Sequence, residues 1–345
     1  MNKRFFSLVF VLALVVAILI PANTVEASNT YKVKVGKRIR LVTTLEKAVW
    51  GSSDVSVAIV SKKGVVKGKS KGKCYISAVA DGKAEVFTVY VKASGSKKST
   101  ADEVTFEGKQ YKLAFSDDFE TLDNSRWAYC PEMERQDAGG VWRNSCSKVE
   151  EGNFVIACSV AEDGTPISGG IRSTGAYEQT FGLYHIRFKM DKADGLWYAF
   201  WLLSDNMEEP IPGNGATDGA ELDIIELVPF TTELCMSVHW DGYGPDLKSC
   251  CEITHVKDDS FYDSYHELWY VWDKNGYRLY LDGTDENSRI FDFPGDKYGD
   301  GACMVPCDLI ISAEFGTWGG DVDRSQLPAH FYVDYVQVYK ELLGD

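Results

Sequence analysis

The chain has 345 residues, room for two domains, and a net charge of −15 from 51 Asp/Glu against 36 Lys/Arg. The chain carries no nucleic-acid-binding motif, which argues against nucleic acid as a partner. The charge is divided sharply. Residues 28–100 hold 16 Lys/Arg and 4 Asp/Glu, net +12, whereas residues 101–345 hold 18 and 46, net −28.

Residues 1–27 read as a secretory signal peptide. "MNKR" supplies the positive start, "FFSLVFVLALVVAILI" the apolar stretch and "VEA" a small residue suited to cleavage. The expectation is an exported protein, released or held at the cell surface. Nine cysteines follow, at 74, 130, 146, 158, 235, 250, 251, 303 and 307, without the spacing of a zinc site. An odd count cannot pair completely within one chain. The cysteines read as buried or free thiols with at most one bridge, for which Cys303 with Cys307 and Cys130 with Cys146 are the candidate pairs.

Residues 28–94 read as short strands punctuated by Gly and Asp. In "YKVKVGKRIRLV", Val33, Val35, Ile39 and Leu41 fall to one side and lysines to the other. A small antiparallel sandwich is expected. "VWGSSDVSVAIVSKKGVVKGKSKGKCYISAVADGKAEVFTVYVK" resembles the bacterial immunoglobulin-like group 2 repeat, which implies a non-catalytic spacer or adhesion module. Its lysines (Lys62, Lys63, Lys67, Lys69, Lys71, Lys73) suit an anionic cell-wall polymer, or form a solvated basic face. Residues 95–103 have linker composition.

Residues 104–345 show strand periodicity nearly throughout. "GLYHIRFKM" puts Tyr184, Ile186, Phe188 and Met190 on one face. "HELWYVWDKNGYRLYLDG" reads as two strands around an Asn275-Gly276 turn. Tryptophans are dense, as at Trp142, Trp197, Trp201 and Trp240, and indole faces stack on pyranose rings. The expected class is all-β, one large sandwich after a small one.

"ELDIIE" places Glu221, Asp223 and Glu226 within six residues. On a regular strand Glu221 and Asp223 share a face and Glu226 points away. One extra residue, a bulge at Ile224-Ile225, would bring Glu226 back. Crowded carboxylates repel and do nothing for stability. They do split carboxyl pKa values, leaving one group protonated and another ionised. Retaining glycoside hydrolysis needs that division, with carboxyls about 5–5.5 Å apart.

The surrounding motifs, in order, resemble glycoside hydrolase family 16. They are "FSDDFETLDNSRW", "VEEGNFVIA", "GGIRSTGAYEQTFGLYHIRFKM", "GLWYAFWLLSDN", "GAELDIIE", "SVHWDGYG", "HELWYVWDKNGYRLYLDG" and "FYVDYVQVYK". The resemblance implies a concanavalin-like jelly-roll β-sandwich, a retaining mechanism and no cofactor for catalysis. Carried over by position, it makes Glu221 the nucleophile, Asp223 the assisting carboxylate and Glu226 the general acid/base. Asp-x-x-Glu spacing is the bulged version, typical of β-1,3-glucan and galactan hydrolases.

The same resemblance makes Trp197, His239 and Arg172 substrate contacts. Trp201, Trp240, Trp142 and Asn144 are further candidates, although Trp240 faces the other way on a regular strand. Asp334, Gly152 and Asp118 match a structural calcium site, with pairing of Asp334 to Arg or Lys as the alternative. Tyr198 stands where many glucanases of the family carry Pro, and is expected to alter subsite shape. The whole reads as a monomeric endo-β-glucan hydrolase. A galactan hydrolase or transglycosylase of the same family, or a lectin on the same fold, is the alternative.

Overall fold

The computed structural model describes residues 30–35, 37–92, 101–135, 140–207, 219–293 and 301–342. The expected signal peptide and most of the expected linker lie outside them. Two compact units divide between Ser99 and Thr100. Among the described residues both are built from strands, and the large unit adds short 3-10 turns.

The small unit packs a four-stranded against a three-stranded sheet. Its first segment divides between them. Thr30–Lys34 pairs parallel to Lys83–Lys92, whereas Arg38–Arg40 pairs antiparallel to Val65–Gly68. The sandwich is therefore not purely antiparallel. Val33, Leu41, Val66, Ile76, Phe87, Val89 and Val91 form its core, and Trp50 stacks on Phe87. Gly64, at φ +74°, passes so close to Trp50 and the Leu41 carbonyl that a side chain there would collide.

The large unit is two facing sheets. One carries the functional face, and its strands are β1 Ala128–Tyr129, β2 Gly170–Arg172, β3 Leu196–Leu203, β4 Ala220–Val228, β5 Glu233–Trp240, β6 Lys248–His255 and β7 Cys307–Phe315. Their order is β1-β2-β7-β3-β4-β5-β6, with Glu178–Gln179 beside β7. In the second sheet the last strand, Ala329–Glu341, lies between Asn153–Val160 and Gly182–Met190. Between the sheets, Tyr198, Phe200, Leu202, Leu222, Val238 and Trp240 meet Tyr184, Ile186, Phe188, Leu268, Tyr270 and Trp272.

Period-2 alternation sets which residues leave this core. Trp197, Ala199, Trp201 and Leu203 of β3 turn to the outer face, as do Asp308, Ile310, Ser312 and Glu314 beside them on β7. The hairpin expected at Asn275-Gly276 closes one residue earlier. Asp273 pairs with Gly276, so Lys274 and Asn275 form the loop. Asp273 accepts a hydrogen bond from the Asn275 N–H at 2.8 Å, and Gly276 takes φ +127°.

Candidate functional site

The bulge is present on β4. Against β5 the pairing runs Asp223↔Ser237 and then Glu226↔Cys235, three steps on one strand against two on the other. Against β3, Trp201 pairs with Asp223, Phe200 with Ile225 and Ala199 with Glu226. Ile224 is the extra residue. Consecutive isoleucines could not both enter the core of a regular strand, and here both are buried. The same irregularity brings Glu226 onto the outer face with Glu221 and Asp223.

The environments of these carboxyls differ. Asp223 is buried, and its Oδ2 lies 3.3 Å from His239 Nε2. His239 Nδ1 is 2.6 Å from Ser249 Oγ, so the imidazole is tethered at both nitrogens. Burial pulls the His239 pKa down. The hydrogen bond and charge of Asp223, with the charge of Glu221, outweigh it and leave the ring above its ordinary value. A ring nitrogen of His239 and one carboxylate oxygen each of Glu221 and Asp223 lie within 4.8 Å of one another.

Burial and the charge of Asp223 push Glu221 up to about 7, and the Tyr243 hydroxyl, which donates to its Oε2, and His239 oppose this. Burial, then Asp223, Glu221 and Glu314, push Glu226 well above the ordinary carboxyl range, and none of its main influences pulls it down. Of the two, Glu221 is the member that ionises first. One acid and one carboxylate can thus coexist here.

An ion pair between half-buried Arg135 and buried Glu314 flanks them. Arg135 donates two hydrogen bonds to Glu314, Nε to Oε2 at 2.7 Å and Nη2 to Oε1 at 3.1 Å. Its guanidinium sits 4.2 Å above the Trp142 ring. Trp197 is the register partner of Glu314 and packs on Gly316, where any Cβ would collide with the indole. Trp201 donates from Nε1 to Ser312 Oγ at 3.0 Å. Both indoles are half-buried on the outer face.

Three expectations change. Trp240 is buried on the core side, where strand alternation sends it opposite His239. Trp142 is also buried, its N–H bound to the Ala313 carbonyl and its face covered by Arg135. Tyr198 points into the core against Phe331, so it does not shape the outer face. The cysteines at 303, 307, 130 and 146 are thiols, as the main reading of the sequence has them. Arg172 is on the outer face, its Nε 3.2 Å from Asp308 Oδ2. Asn144 is exposed, and its N–H donates to Glu132.

Asp334 carries the alternative that sequence left open. Arg187 Nη1 donates to its Oδ2 at 2.6 Å and stacks over Tyr265. A guanidinium at that oxygen does not fit a calcium cage with Gly152 and Asp118.

Sequence reasoning missed Tyr243, Ser249, Glu314 and Arg135. Tyr243 sits inside the quoted "SVHWDGYG". Glu314, in "ISAEF", lies among apolar residues, where a lone acid is itself a signal.

Residues 134–337 match the family model of glycosyl hydrolases family 16, and residues 16–93 that of the bacterial Ig-like domain (group 2), which begins inside the expected leader. The chain belongs to glycosyl hydrolases family 16. It is 26% identical over 273 residues to a keratan-sulfate endo-1,4-beta-galactosidase of Sphingobacterium multivorum, covering 72% of this chain and 60% of that protein. It is 26% identical over 183 residues to glucan endo-1,3-beta-glucosidase A1 of Niallia circulans, covering 50% and 26%. The chain thus spans less than two thirds of the length of these curated relatives. An endo-beta-1,3-glucanase structure from Pyrococcus furiosus shares the fold, with TM-score 0.56 and 21% identity over 70% of this chain and 99% of that one.

Proposed function

We propose that the chain is a secreted, retaining endo-acting β-glucan hydrolase that cleaves β-1,3 or mixed β-1,3/1,4 linkages. The observation that carries this is the β4 bulge, which gathers Glu221, Asp223 and Glu226 on one face. Glu221 attacks the anomeric carbon while Glu226 protonates the leaving oxygen. Glu226 then takes a proton from the water that releases the product. Asp223, held by His239, orients the nucleophile and tunes its charge. The reaction needs two carboxyls and water and no cofactor. Trp197 and Trp201 offer indole faces to the sugar chain, and Arg172 a polar contact.

The test is reducing-sugar release from laminarin, barley mixed-linkage glucan, carboxymethylcellulose, xyloglucan and agarose, beside Glu221→Gln. Release from laminarin or barley glucan that disappears in the variant supports the reading. A folded protein that binds these glycans and releases nothing would instead be a lectin.

A second reading is a galactan hydrolase. The similarity to a keratan-sulfate endo-1,4-beta-galactosidase, which extends over 72% of this chain, favours it. Release from a keratan or agarose substrate alone would choose it. We also propose that the small unit docks on an anionic wall polymer. Lys62, Lys63, Lys69 and Lys73 are exposed, and Lys73 lies over the Tyr75 and Tyr90 rings. Binding to purified wall should weaken with added salt. Salt-insensitive binding would sink the idea.

A further inference from the structure

We propose that Cys235 and Cys251 form a reversible disulfide beside Glu226, a redox-modification site at the edge of the outer face. Their sulfurs lie 3.0 Å apart. Cys235 is buried on β5, directly opposite Glu226 across the bulge. Cys251 is exposed on the neighbouring strand β6, opposite Ser237, two residues from Cys235. The adjacent Cys250 turns to the core side of β6 and packs against the main hydrophobic cluster.

The oxidant is a small-molecule disulfide such as oxidised glutathione. The exposed Cys251 thiolate attacks one of its sulfurs, and the first glutathione leaves as a thiolate that takes up the proton Cys251 lost. Cys235 then attacks Cys251 Sγ. The second glutathione leaves as a thiolate and takes up the Cys235 proton. Two protein thiols become one disulfide, and one small-molecule disulfide becomes two thiols.

Closure has a structural consequence. A disulfide is about 2.05 Å long, so the sulfurs must approach by about 1 Å. The residues are diagonal across neighbouring strands, where side chains start farther apart than in a direct pair, so the backbone must yield. Cys235 carries that movement to Glu226, its register partner. A catalytic group misplaced by about 1 Å can cost about 10²-fold in rate.

The test uses the full chain, treated with oxidised glutathione and then with dithiothreitol, digested and mapped by mass spectrometry beside turnover. A Cys235–Cys251-linked peptide should appear and then vanish, with turnover falling at least tenfold and returning. Cys251→Ser should give no linked peptide and the same turnover with and without oxidant, whatever its basal level. Free thiols at both positions, a Cys250–Cys251 link, stable glutathione adducts, or a link without loss of turnover would overturn the proposal. The loss of turnover rests on the hydrolase reading. If the reduced protein turns over no glycan, that reading fails, and the linked peptide alone decides the disulfide.

Discussion

Tyr243 donates its phenolic hydrogen to Glu221, from the loop just after β5. A donor stabilises the ionised carboxyl, so this bond holds Glu221 below the value that burial and Asp223 would otherwise impose. Tyr243→Phe should therefore raise the Glu221 pKa. A nucleophile works only when ionised, so the acid limb of the kcat/KM profile, expected near pH 7, should move to higher pH. The profile of glycan release against pH checks this. An unmoved acid limb would remove Tyr243 from the tuning of Glu221.

Glu226→Gln should lower turnover by about 10²–10⁴-fold, the usual contribution of a general acid. The same change should stabilise the fold at neutral pH. Native Glu226 is held above its ordinary 4.5, so the folded state keeps a proton that the unfolded state releases as pH rises past that value. Stability therefore declines with pH from about 4.5 upward, and glutamine removes the share of this decline that belongs to Glu226, leaving that of Glu221. Melting temperature against pH should be flatter in the variant and higher above pH 6. A variant that melts lower at every pH would contradict the buried-acid assignment.

Much of this site was legible because strand alternation is a local rule. It assigns Glu221 and Asp223 to one side, and the consecutive isoleucines at 224 and 225 signal that the alternation breaks. The inward facing of Tyr198 follows from the same rule, since its neighbours Trp197 and Ala199 face out. Arg135–Glu314, Tyr243–Glu221 and Cys235–Cys251 depend on which strands are neighbours and where loops return. The order β7-β3-β4-β5-β6 is a tertiary outcome that no single strand encodes. The parallel pairing of Thr30–Lys34 was hidden for the same reason.

Arg135 and Glu314 make a testable unit. Glu314 is buried, and its charge also presses on Glu226. Arg135→Met leaves that charge without its guanidinium. Breaking a buried pair costs about 3–5 kcal/mol, and partial exposure of Arg135 brings the expectation down to about 2 kcal/mol. For a unit of this size that is a fall in melting temperature of about 5 °C. Arg135→Met with Glu314→Gln should recover most of it, as a double-mutant cycle would read. Additive losses would mean that the two side chains are not coupled.

The Arg187–Asp334 contact decides the calcium question by experiment. A carboxylate already held by a guanidinium at 2.6 Å gains little from a cation and must release Arg187 to ligate one. Addition of calcium, or of a chelator, should leave the melting temperature unmoved. Arg187→Ala should lower it, because Asp334 is buried and the cation over Tyr265 is lost as well. In that variant calcium should begin to stabilise, since the carboxylate is then open to a hard cation. Stabilisation of the unaltered protein by calcium would show that Arg187 yields the carboxylate, and would restore Asp334, Gly152 and Asp118 as a metal site.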